Sequence, residues 1–79
     1  MEIEPKLQVM ETKSLAALCI LASGFPMASA VEAHRGRELY EQWKAMERKA
    51  VTPHEKEGLK RPMVHFLGSV LPRHNIVVS

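Results

Sequence analysis

The side chains able to do chemistry in this 79-residue chain are few and scattered. His34, His54, His65 and His74 are separated by 20, 11 and 9 positions, whereas a zinc-binding histidine pair on one helix sits three or four apart. No metal site is expected from them. His34 and Glu38 lie one helical turn apart, a spacing that suits an acid–base pair but also an ordinary surface contact, and the surface contact is the reading taken here. Ser14, Ser23, Ser29 and Ser69 lack a nucleophile-elbow setting, and Gly24, Gly36, Gly58 and Gly68 do not assemble into a phosphate-binding loop. Cys19 is the single cysteine, which excludes an intramolecular disulfide and a cysteine-built metal cage. It sits in an apolar run with no neighbour that would lower its pKa, so a buried, inert thiol is expected. The residue types therefore predict neither enzyme nor cofactor.

Larger side chains suggest another use. Aromatic residues make up only 5% of the chain, so Phe25, Tyr40, Trp43 and Phe66 carry most of its large apolar surface. Tyr40, Trp43, Met46, Met63 and Phe66 exceed what one small core requires, and aromatic and methionine-rich helix faces supply anchors for protein partners. These five are the candidate partner-binding residues, although packing together in a monomer core is an equally physical use for them.

The elements that must position them are helical. From Pro5 to Ser23 apolar residues fall at Leu7, Met10, Leu18 and Leu21, widened by Leu15, Cys19 and Ala22, which predicts one helix over 5–23 ended by Gly24-Phe25-Pro26. Leu39, Trp43, Met46 and Ala50 recur at spacings of four, three and four, predicting a second helix over 27–50. Gly36 interrupts that helix at a cost of about 1 kcal/mol relative to alanine, marking either a break or a close crossing. Thr52-Pro53-His54-Glu55 matches a capping box with proline at the first helical position, opening a third helix over 53–70. Pro62 is expected to kink or split it, and Pro72 to end its pattern. Ile76, Val77 and Val78 suit a short extended tail. A 46% hydrophobic and 25% charged composition fits a packed core. The expected fold is all-α: a small three-helix bundle, or a helical hairpin with a kinked third helix, forming one domain over 1–79.

The stretch from Ser14 to Val31 holds eighteen residues without a charge, just enough helix to cross a ~30 Å hydrocarbon core. Ser23, Gly24, Pro26 and Ser29 dilute it, so membrane attachment there is a weak expectation. Lys13, the block Leu15 to Ala22, and Ala28-Ser29-Ala30 also follow the layout of an export signal cleaved after residue 30, which would leave 31–79 as the working polypeptide. The three glutamates of Met1 to Thr12 oppose that reading and favour an intracellular chain.

Charge is modest, with a formal net of +2. Residues 1–30 carry two cations against three glutamates and 31–79 carry nine against six, giving −1 and +3. A helix, turn, helix order with Arg35 and Arg37 on the second helix invites a DNA-binding reading, but Met27 to Val31 at its start offer few base-reading groups. The leading expectation is thus a non-enzymatic protein-interaction module, an adaptor, inhibitor or accessory subunit, acting on a protein partner or a second copy. An exported or membrane-tethered polypeptide and a helix-turn-helix DNA-binding protein are the alternatives.

Overall fold

The structure, a computed structural model, describes residues 4–26 and 28–76. Met27, where the second helix was expected to begin, and Val77 and Val78 of the expected tail lie outside them. The described residues form an all-α bundle of four helices, with no strand among them: α1 (Glu4–Gln8), α2 (Thr12–Ser23), α3 (Ala30–Arg48) and α4 (Pro53–Arg73). α2 packs on α3, and α4 lies against the other three.

The predicted first helix is divided at Val9–Glu11, and the division changes which residues face inward. Leu7 from α1 and Leu15, Ala16, Cys19 and Ala22 from α2 are buried, while Leu21 is 61% exposed. A single 3.6-residue period drawn through both pieces mixes two helical frames, which is why it put Leu21 on the buried stripe. The face α2 offers to α3 is built of small side chains, and Gly36 meets it. A Cβ placed on Gly36 would stand 2.5 Å from the Cys19 carbonyl oxygen, 3.0 Å from the Ser23 Cβ and 3.3 Å from the Phe66 ring. Gly36 marks a close crossing and does not break α3.

α3 begins later than its apolar pattern suggested because Ser29 caps it. The Ser29 hydroxyl accepts the Glu32 amide at 3.1 Å and the Glu32 carboxylate accepts the Ser29 amide at 3.0 Å, a complete capping box. At α4 the Thr52 hydroxyl accepts the Glu55 amide at 3.3 Å, but the Glu55 carboxylate meets the Thr52 hydroxyl itself. The expected reciprocal box is therefore half formed there, with Pro53 at the start of the helix as anticipated.

α4 runs unbroken through Pro62 and takes Pro72 into its last turn. Seven of its side chains are buried: Leu59, Met63, Val64, Phe66, Leu67, Val70 and Leu71. Packing of that stripe outweighs the roughly 3 kcal/mol that an interior proline costs. The helix closes with Asn75 at φ 58°, while the Asn75 and Ile76 amides donate to the Pro72 and Leu71 carbonyls at 3.1 and 3.0 Å. This is a Schellman motif, in which Ile76 folds back onto the core.

α3 ends differently, with Ala50 at φ 51°, a left-handed conformation that opposes a Cβ. Replacing Ala50 with glycine removes that strain and is expected to raise stability by about 1 kcal/mol in urea denaturation. Gly58 presents the opposite case: it is helical and exposed, with open space where a Cβ would sit. Gly58→Ala should stabilise by roughly 0.5–1 kcal/mol in the same measurement.

The assembled bundle is a slab of 35 × 26 × 14 Å. So thin a body has little interior, and several of its large side chains pack on the core from one side only.

Candidate functional site

The five predicted anchors fall into two groups. Met63 is fully buried and Phe66 is 8% exposed, both on the inner face of α4. Tyr40, Trp43 and Met46 are half-buried on α3, resting against the core. The Tyr40 and Trp43 rings stand 6.0 Å apart at 40°, with the Lys44 Nζ 5.4 Å from the Tyr40 centroid, a cation–π distance. Trp43 borders a polar depression shared with Met10, Lys13, Glu47, Lys56 and Lys60. No common face gathers all five residues. Met63 in particular is core, and the Phe66 ring reaches the Gly36 crossing.

A groove that sequence reasoning missed lies on the α3–α4 side. It is a shallow, solvent-open depression of about 540 Å³. Its apolar lining comes from Val31, Pro62, Phe66 and Val70, and Arg35, Arg61, His65 and Arg73 border it, with Glu32 as its one carboxylate. Val31 is 78% exposed at its mouth. The capping box fixes the start of α3 and so places Val31 and Glu32; the helical register of α4 aligns positions 62, 66, 70 and 73. Glu32 gives one carboxylate oxygen to the Ser29 amide and the other to the Arg73 guanidinium, and the Arg73 Nε also donates to the Ser69 carbonyl at 3.1 Å. Arg35 pairs with Glu38 one turn along α3. No ion pair involves Arg61 among the described residues.

Two signals could have pointed here. Ser29-Ala30-Val31-Glu32 spells the capping box, but Ala28, Ser29 and Ala30 also spell a small-residue cleavage site. All nine carboxylates also precede residue 58, so the last part of the chain carries Lys60, Arg61 and Arg73 with no side-chain acid. The individual positions of Val31 and Arg61 in one groove depend on the helix crossing and had no local signal.

His34 and Cys19, the two other groups singled out from the sequence, lie apart from this groove. His34 Nε2 is 3.9 Å from the Glu38 carboxylate, on a side chain 76% exposed. Burial pushes the Cys19 thiol up from 9.0 to about 12, outweighing the opposing pull of the Arg35 charge. That is the reverse of thiolate activation. The folded state therefore holds the Cys19 proton more tightly than the unfolded chain. Stability from this group is complete below pH 9 and declines between 9 and about 12, by up to about 1.4 kcal/mol per pH unit. In practice, a thiol reagent at pH 8 should label Cys19 within seconds in denaturant and at least 100-fold more slowly in the folded protein, since labelling must await opening. Equal rates would show an accessible thiol.

Among the described residues no group of three or more His, Cys, Asp or Glu comes together as a metal site would require, and no described helix is long and apolar enough to cross a membrane. Arg35 and Arg37 stand about 200° apart around α3, so they do not share a face. No protein family, curated protein or solved structure matches the chain.

Proposed function

We propose that this protein is a non-enzymatic interaction module that binds a protein partner through helix faces, chiefly the groove between α3 and α4. The observation that carries this reading is the exposed Val31 above an apolar lining of Pro62, Phe66 and Val70, bordered by arginines. Partner-binding patches have this make-up, an apolar centre with a polar rim and arginine among the enriched residues. The half-buried Tyr40, Trp43 and Met46 offer a second, smaller contact area on the same helix.

A photo-crosslinking residue at position 31, compared with one at the exposed Gln42, tests the reading in the native cell. A discrete cross-linked protein from position 31 and none from 42 is the expected result. Indiscriminate labelling from both positions, or none from either, overturns it.

A further inference from the structure

The groove's charge identifies the kind of partner it fits. Its arginines are not equivalent: Arg73 is matched by Glu32 and Arg35 by Glu38, while Arg61 has no carboxylate partner among the described residues. His65 follows Arg61 by one turn and is also exposed, and no acidic side chain follows Glu57 anywhere in the sequence. The groove thus combines an apolar lining with a guanidinium that no carboxylate reaches within ion-pair distance among the described residues; Glu57, one turn before Arg61 on α4, lines the adjoining depression, and the groove itself carries no carboxylate except the one already paired with Arg73. Between Pro62 and Arg73 α4 runs for about 16 Å, enough to lie beside two to three turns of another helix.

We infer that the α3–α4 groove receives an acidic amphipathic helix of a partner protein, whose apolar stripe covers Val31, Pro62 and the exposed edge of Phe66, with the buried Val70 as the groove's floor, and whose carboxylate engages Arg61. This rests on the interaction-module reading and names the partner's chemistry. An arginine at the border of an apolar groove selects carboxylate geometry through its paired N–H donors and repels a basic helix.

The test uses the full chain and three synthetic helical peptides, each with leucines at i, i+3, i+4 and i+7 and with glutamate, glutamine or lysine at the other positions. Amide chemical-shift titration of the isotope-labelled protein reads both site and affinity. The glutamate peptide is expected to shift amides around Val31, Arg61, His65 and Val70, and to bind about tenfold more tightly than the glutamine peptide, with the lysine peptide weakest. Its affinity should fall as salt rises, and Arg61→Glu should weaken it about tenfold while Lys13→Glu, on α2, leaves it unchanged. Equal binding of all three peptides, or shifts confined to the Trp43 side, overturns the inference. Concentration-dependent dimerisation abolished by Val31→Glu would instead assign the groove to a second copy, and binding of anionic phospholipid vesicles with no response to the glutamate peptide would assign it to a membrane surface; either overturns it. Failure here together with a specific cross-link from position 31 would reject the acidic helix while leaving the interaction module standing.

Discussion

Gly36→Ala is expected to lower the melting temperature by roughly 10 °C, although alanine is the better helix former. The propensity gain is about 1 kcal/mol. Against it, the new methyl group falls 2.5 Å from the Cys19 carbonyl oxygen, a backbone atom that no rotamer change can move aside, and 3.0 Å from the Ser23 Cβ. α2 and α3 must separate to admit it, loosening the small-residue seam of Ala16, Cys19 and Ala22. Overpacking of this kind costs about 1–3 kcal/mol and more where backbone must shift, so the net loss should be about 2 kcal/mol. A chain of this size has only about 4–12 kcal/mol in hand, and each kilocalorie moves its melting point by about 4–8 °C. Thermal melts followed by circular dichroism decide the matter, with Gly58→Ala as the matched control expected to move the other way. A Gly36→Ala protein that melts higher than its parent would mean the helices do not cross there.

The second large effect concerns the segment before Val31. A polypeptide comprising 31–79 is expected to lose its cooperative thermal transition altogether. It lacks Leu7, Leu15, Ala16, Cys19 and Ala22, five of the thirteen buried hydrophobic residues. What remains is poorly matched: α4 supplies seven buried side chains, whereas α3 supplies only Leu39 and Gly36. Without α2 there is no surface for the Gly36 face to meet, and 49 residues are already near the size at which a chain needs a partner to fold. Cleavage after Ala30 would also detach Ser29 from the helix it caps, at a further cost of about 1 kcal/mol. The readouts are the circular-dichroism melt and Trp43 fluorescence, which should resemble those of the denatured full chain. A sharp transition in the fragment would show that 31–79 is a self-sufficient unit and would strengthen the exported-polypeptide reading. Should a species starting at Val31 be found in cells, its working state would require an external surface to replace α2.

Helical class and the position of α4 were legible because their signals are local. Thr52-Pro53 and the spacing of Leu59, Met63, Phe66, Leu67 and Val70 depend only on residues within a few turns. The Gly36 crossing was half legible: glycine in a helical stripe announced something, but its meaning depended on Cys19 and Ser23 of another helix. The break at Val9–Glu11 was hidden because Leu7, Met10 and Leu15 look periodic when written in one line. Ser29 was visible as a letter pattern and lost to a competing pattern of small residues. The candidate groove was the least legible feature, since it is made by juxtaposing Val31 and Arg61, thirty positions apart. Among the predicted anchors, Met63 shows why residue type is a poor guide in a thin bundle: the same apolar side chain serves a core or a surface according to which side of α4 the crossing covers.

The shared carboxylate of Glu32 has a dynamic consequence. One oxygen holds the amide of Ser29, the other the guanidinium of Arg73, so the first turn of α3 and the last turn of α4 are fastened by the same group. Helix ends ordinarily fray independently and fast. Here, unwinding either end frees a charge that the other end was using, so the two openings are expected to be coupled, by no more than the ~0–1 kcal/mol of an ion pair whose arginine is 60% exposed. Amide exchange would register this as correlated protection across segments forty residues apart, at the edge of the groove.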